Sequence, residues 1–180
     1  PHGACPACSG LGTQMDLDPA LIIPDRSLSL RQGAIKPWAR GKRNLPYFEA
    51  LLNSAAEYFG INLDIPVRQI LPTHLDIILY GGPRTRPIKV TYTGKNGRVR
   101  KVTMPFEGVL PYLRRRLRDT SGEQDRSRLE RYMSSAICPV CDGKRLRPES
   151  LAVTVADLNI AQVAAMPIRD LLGWVMAVQR

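Results

Sequence analysis

Cys5-Pro6-Ala7-Cys8-Ser9-Gly10 returns near the far end of the chain as Cys138-Pro139-Val140-Cys141-Asp142-Gly143. These four are all the cysteines in the 180 residues. Both hexapeptides read C-P-x-C-x-G. A tetrahedral zinc ion takes four soft thiolates, and a CxxC turn aims two of them at one point. The proline presets the turn. The glycine lets backbone N–H groups swing toward the sulfurs without a Cβ in the way. Three other uses of such pairs remain open. Structural disulfides go with secretion, and no secretory signal precedes these pairs. A redox pair needs only one CxxC, set at the start of a helix. Two half-sites could each be completed by another chain. One structural Zn²⁺ held by Cys5, Cys8, Cys138 and Cys141 uses both pairs at once. Four thiolates leave no open position for catalysis. His2 is not needed in such a shell, and His74 reads as an ordinary helix or surface residue.

Residues 9 to 137 separate the two pairs, far more than an ordinary zinc ribbon places there. Closing so long a loop costs entropy, which bound metal offsets. The expected architecture is therefore α+β. A zinc-knuckle base, residues 1–14 plus 136–180, is formed by both ends of the chain. It carries an inserted domain, residues 15–135, with helices and a β-hairpin.

Between the knuckles, residues 10–43 read as irregular, punctuated by Pro24, Gly33, Pro37 and Gly41. Phe48, Leu51, Leu52, Ala55 and Phe59 then recur at helical spacing, and Gly60 ends the helix. A second helix is predicted over 74–80. Ile88, Val90 and Tyr92 alternate with polar residues ahead of Gly94-Lys95-Asn96-Gly97, a strong hairpin signal. The apolar phase changes between Val99 and Val102, which predicts a bulge. Helices are predicted over 109–118, with Leu110, Leu113 and Leu117 inward, and over 123–134. After the second knuckle the sequence predicts a strand over 151–155, a helix capped by Asn159, and a helix opened by Pro167 with Ile168, Leu171, Leu172 and Val175 on one face. Trp38 and Trp174 read as core residues.

The net charge is +10. Residues 84–147 hold 17 Lys/Arg and 6 Asp/Glu, while the remainder holds 9 and 10. So one-sided a distribution favours a polyanion, and phosphate backbones are the commonest. Candidate phosphate contacts are Lys89, Lys95, Arg98, Arg100 and Lys101 on the hairpin, and Arg114, Arg115 and Arg118 on the helix that follows. No G-x-x-x-x-G-K-[ST], G-x-G-x-x-G, G-x-S-x-G or H-E-x-x-H occurs, so no catalytic constellation is visible. No apolar run approaches the roughly 20 residues of a membrane span. The chain begins at Pro1 and is expected to be a piece of a longer protein.

Four stretches carry a specific resemblance: PHGACPACSGLGTQ at 1–14, GAIKPW at 33–38, FEGVLPYLRRRLRDT at 106–120 and CPVCDGKRLRPESLAVTV at 138–155. Over nearly its whole length the chain resembles the excision-repair UvrA family. The resemblance implies an internal region comprising part of the first signature domain and an inserted domain mounted on a zinc module. The family's zinc-ligand cysteines fall on Cys5, Cys8, Cys138 and Cys141. It implies a DNA-binding part of the damage-recognition ATPase subunit of bacterial nucleotide excision repair, induced in the SOS response and working in the cytoplasm. Its partners would be double-stranded and damaged DNA, with UvrB and a second UvrA in the parent protein. ATP would belong to the parent alone, because neither Walker motif nor the ABC signature occurs here. The competing reading is a protein-interaction module contacting UvrB or the dimer mate. The first knuckle also fits the C-x-x-C-x-G-x-G zinc repeat of DnaJ-type chaperones, but those repeats recur at short intervals.

Overall fold

The computed structural model describes residues 2–39, 45–94 and 98–178, Leu45 by its backbone alone. The chain divides into two compact units, Leu17–Ser134 and Pro1–Asp16 together with Ser135–Arg180. Helices and small two-stranded sheets make it an α+β protein. Two strands lend residues to both units, β1 (Thr13–Leu17) and β4 (Met133–Ile137), and they pair with each other.

The larger unit opens on one helical turn, α1 (Pro19–Ile22). The Asp18 carboxylate accepts the Ala20 N–H at 2.8 Å, and Pro19 takes the first position, where no N–H is missed. A second short helix, α2 (Lys36–Ala39), buries Trp38. The stretch expected to be irregular, residues 10–43, is thus more regular than expected over its described part, residues 10–39; Gly41 lies outside the described residues. The elements of that stretch are only four or five residues long, too short to show a period.

The amphipathic helix α3 (Leu45–Phe59) buries Phe48, Leu51, Leu52 and Ala55, the positions its spacing predicts. It stops where Gly60 turns left-handed, at φ +69°, and the Ile61 N–H reaches back to the Ala56 carbonyl at 2.9 Å. That 6→1 bond satisfies a carbonyl the helix end would leave bare. A 3₁₀ turn, Val67–Gln69, leads to α4 (Pro72–Tyr80).

The hairpin pairs β2 (Ile88–Thr93) with β3 (Val99–Met104), in unbroken antiparallel register from Ile88↔Met104 to Thr93↔Val99. The expected bulge is absent. Val99 instead sits opposite Thr93 on the outer face and stays 65% exposed, so the phase change is tolerated as an apolar side chain in solvent. Ile88 and Val90 are buried and pack with α3 in the core. Each such burial contributes about 1.5–3 kcal/mol.

Next come α5 (Val109–Asp119) and α6 (Glu123–Glu130). The predicted helix over 123–134 is corrected here: it ends at Glu130, and Met133–Ile137 is strand β4. The Asp18 N–H bonds the Tyr132 carbonyl at 2.8 Å, so pairing with a segment more than 100 residues away overrides local helix preference. Two glycines let the backbones ahead of α5 and after α4 meet. The Gly82 N–H donates to the Phe106 carbonyl at 2.9 Å. A Cβ on Gly108 would lie 2.3 Å from the Gly81 nitrogen.

In the smaller unit, the predicted strand over 151–155 is also corrected. A short helix, α7 (Pro148–Leu151), occupies its start, and only β5 (Thr154–Val155) is extended. Pro148 supplies the fixed φ of a first helical position. β5 pairs with β6 (Leu158–Asn159) across a turn in which Ala156 and Asp157 both have positive φ, +46° and +64°. Asn159 and Gln162 form a reciprocal capping box on α8 (Ile160–Ala164). In α9 (Ile168–Val178) the predicted stripe is helical but uncovered, with Ile168 86% and Leu172 57% exposed. Trp174 is half-buried rather than core.

Candidate metal centre and nucleic-acid face

The four cysteines meet in the smaller unit. All are buried, none is in a disulfide, and their sulfurs lie within 4.8 Å of one another. Cys8 Sγ and Cys141 Sγ are 3.7 Å apart. A disulfide would need about 2.05 Å. Zn–S bonds of about 2.3 Å in a tetrahedron place sulfurs roughly 3.8 Å apart. Donor type, number and spacing therefore all fit one four-coordinate metal ion. Among the described residues this is the one cluster of three or more His, Cys, Asp or Glu so disposed.

The knuckles match each other far beyond the cysteines. Ser9 and Gly10 are left-handed, at φ +50° and +83°, and so are Asp142 and Gly143, at +51° and +74°. The Leu11 N–H bonds the Cys8 carbonyl at 3.0 Å, and the Lys144 N–H bonds the Cys141 carbonyl at 2.9 Å. Each knuckle also braces the other. The Cys5 N–H donates to the Arg145 carbonyl at 2.8 Å, and the Cys138 N–H donates to the Gly12 carbonyl at 3.0 Å. The bridge Ala4↔Leu146 has its counterpart in the pairing of β1 with β4. The repeat thus builds a pseudo-twofold frame around the sulfurs.

Backbone N–H groups aim at the sulfurs, as Gly12 does toward Cys8 Sγ at 3.2 Å. Burial pushes the Cys8 thiol up, but this N–H and donation from Cys141 and Cys5 more than reverse it, to about 7. Cys141 moves the other way, to about 11, through burial and the neighbouring sulfurs, against the Arg145 N–H. The N–H donation thus favours the thiolate at Cys8, while Cys141 holds its proton more tightly.

One position departs from the symmetry. Gly12, at φ +80°, has Arg145 as its mate, at φ +68°. A left-handed residue with a Cβ costs roughly 1–2 kcal/mol. The stem of Arg145 packs over Gly12, where a Cβ would come within 2.9 Å of Arg145 Cγ. Arg145 lies beyond the C-P-x-C-x-G motif and carries no signal within it. Gly12 and Arg145 each stand four residues after the second cysteine of a knuckle, two beyond the motif's glycine.

The cations concentrate in the larger unit. Leu17–Ser134 holds 21 Lys/Arg and 11 Asp/Glu, and the smaller unit holds five of each. The hairpin cations do not share one face. Lys89 and Lys101 point the same way, as their pairings with Thr103 and Thr91 require, while Arg100 lies opposite Tyr92 on the other side. Arg98 is exposed just before β3, and Lys95 lies outside the described residues. On α5, Arg114 and Arg118 are exposed. Arg115 pairs with an acid: its Nη2 meets Glu107 Oε1 at 2.5 Å, and its guanidinium stands 5.5 Å from the Tyr112 ring centre. The arginines of α6 are also paired, Arg126 with Glu130 and Arg128 with Asp125.

A family model described as the UvrA DNA-binding domain matches residues 18–131, nearly all of this basic unit. The chain belongs to that family. Proteins named UvrABC system protein A run through both units of this UvrA-family chain. The one from Streptomyces avermitilis is 44% identical over 170 residues, 94% of the chain and 17% of the relative. That from Methanothermobacter thermautotrophicus is 41% identical over the same coverage. That from Listeria monocytogenes is 40% identical over 174 residues, 97% of the chain and 18% of the relative. The chain therefore spans less than a fifth of the length of these relatives. The crystal structure of UvrA2 from Deinococcus radiodurans superposes on 98% of the chain and 22% of its own, at TM-score 0.67 and 25% identity. Among the described residues of this UvrA-family chain, no helix is long and apolar enough to cross a membrane.

Proposed function

We propose that this chain is a DNA-binding region of a UvrA-type damage-recognition subunit in nucleotide excision repair. Its larger unit would hold duplex DNA through phosphate contacts. The observation that carries this reading is the coincidence of the family match, residues 18–131, with the unit that bears the whole +10 charge. Phosphate contacts fix register without reading bases. That suits a protein that must find damage in any sequence, sensed as altered shape or deformability. Lys89, Lys101, Arg98, Arg100, Arg114 and Arg118 are the cations proposed to make these contacts, and Lys95 is proposed from the sequence alone. Arg115 contributes less, because Glu107 already neutralises it.

The four thiolates would hold one structural Zn²⁺, with Cys5, Cys8, Cys138 and Cys141 as its ligands. The ion would supply no chemistry; it would tie the two ends of the chain into the base from which residues 15–135 are inserted. ATP binding and hydrolysis, contact with UvrB, pairing with a second UvrA and a cytoplasmic setting belong to the proposal for the longer protein.

The test removes charges in two separate sets, Lys89→Gln with Lys101→Gln on the hairpin and Arg114→Gln with Arg118→Gln on α5. Affinity for one duplex is then measured across salt concentrations. Each contacting cation removed should flatten the log–log salt slope by about 1. If neither set changes the slope, the larger unit does not grip the backbone through these residues. Binding to a protein partner would then be the better reading.

A further inference from the structure

A cavity of about 540 Å³ in the larger unit is not used by any of the proposed backbone contacts. Ligand sites commonly run from about 300 to 1,000 Å³. Aromatic rings line it, from Phe48 on α3, Tyr112 on α5 and Tyr132 just before β4. Phe48 and Tyr112 belong to a braced cluster with Trp38. Trp38 stacks on Phe48 with ring centres 4.9 Å apart and planes 8° from parallel, and Tyr112 meets Phe48 edge-on at 5.4 Å. Trp38 and Phe48 are buried and hold the half-buried Tyr112 ring rigid from behind.

The rim is cationic. Arg116, Arg128 and Arg131 stand around the rings, with one acid, Asp125, among them. Asp125 is held by Arg128 at 3.2 Å. Arg116 and Arg131 are exposed and make no ion pair among the described residues. An aromatic platform with unneutralised guanidinium groups at its edge matches a group that is flat at one end and anionic at the other. Bases stack on aromatic side chains regardless of identity, and arginines take the adjoining phosphate.

We propose that this cavity receives a single nucleotide swung out of the DNA stack, its base against the Tyr112 and Tyr132 rings and its phosphate between Arg116 and Arg131. This inference rests on the DNA-binding reading and sharpens it. Intact duplex is held from outside by backbone contacts, and a duplex whose stacking has failed offers one more ligand. Damage-weakened pairs lose least on being opened, so the pocket would convert weakened stacking into tighter binding.

The test uses the full 180-residue chain and three duplexes of one sequence context: fully paired, carrying one unpaired 2-aminopurine nucleotide, and carrying one unpaired abasic nucleotide. The abasic duplex bends as readily but has no base to stack. The 2-aminopurine duplex should bind about tenfold tighter than the paired one, within the range that base–aromatic stacking supplies. The abasic duplex should gain less than threefold. Fluorescence of the 2-aminopurine should fall on binding, as it does when the base stacks on a ring. The double variant Arg116→Gln/Arg131→Gln should erase the preference and change paired-duplex affinity less than threefold. Equal affinities for all three duplexes, a preference the abasic duplex shares in full, or one that survives the double variant overturns the proposal. Failure to bind any duplex would sink the DNA-binding reading beneath it.

Discussion

Gly108→Ala tests the packing that places the arginine-bearing helix. Gly108 stands just before α5 with φ +78° and ψ 168°, and Gly81 closes α4 with φ +98° and ψ 162°. Both lie in a region that is essentially glycine's alone, where any other residue costs about 1–3 kcal/mol. Space adds a second cost. The new Cβ would lie 2.3 Å from the Gly81 nitrogen and 2.6 Å from the Tyr80 carbonyl carbon, backbone atoms that no rotamer change can move. Overpacking of this kind adds about 1–3 kcal/mol. The sum, about 4 kcal/mol, is a large share of the 5–15 kcal/mol typical of a whole domain. Two other glycines separate the contributions. Gly60 has φ +69° with nothing within 4 Å of an added Cβ, so Gly60→Ala should cost strain alone, about 1–2 kcal/mol. Gly122 has φ −81° and open space, so Gly122→Ala should stay within about 1 kcal/mol of the parent. Urea unfolding followed by far-ultraviolet circular dichroism gives all three, provided the m-value is unchanged. If Gly108→Ala costs no more than Gly60→Ala, the two backbones do not meet as described.

Other outcomes follow from the same geometry. Cys141→Ser should lower zinc stoichiometry from one per chain, read by native mass spectrometry, because three thiolates and a hydroxyl hold the ion less firmly; unchanged stoichiometry would remove Cys141 from the ligand set. Arg145→Gly should release left-handed strain and stabilise the smaller unit by up to about 1 kcal/mol, measured by hydrogen exchange at the Cys5 N–H that bonds the Arg145 carbonyl. Phe48→Ala should cost about 3–5 kcal/mol in urea unfolding, since the ring is buried and stacked on Trp38. Glu107→Gln should raise duplex affinity a few-fold at low salt by freeing Arg115, with a stability loss of about 1 kcal/mol or less for a partly exposed pair.

The sequence disclosed most where a signal was local and repeated. Paired C-P-x-C-x-G knuckles gave the sulfur cluster, and the i, i+3, i+4 spacing from Phe48 to Ala55 gave α3 with its buried face. Alternation at Ile88, Val90 and Tyr92 gave the hairpin. What stayed hidden depends on distant partners. Thr13–Leu17 and Met133–Ile137 are five residues each, too short for a pattern to mark them, and become strands by pairing with each other. The loss of Arg115 to Glu107 was equally invisible, because a pair eight residues apart forms only once the approach to α5 has folded. The aromatic pocket gathers residues from α2 to the start of β4 and has no sequence signature at all. Asp18-Pro19, by contrast, is a legible helix start that was passed over because the helix it opens has only four residues.

Electrostatic grip on the DNA backbone is best judged by the affinity of the intact chain for two duplexes of unrelated sequence, followed from 50 to 200 mM salt. With about six cations at phosphates, affinity should fall roughly 10³-fold over that range, equally for both sequences. Affinity that scarcely changes with salt, or that falls for one sequence and not the other, would contradict the account.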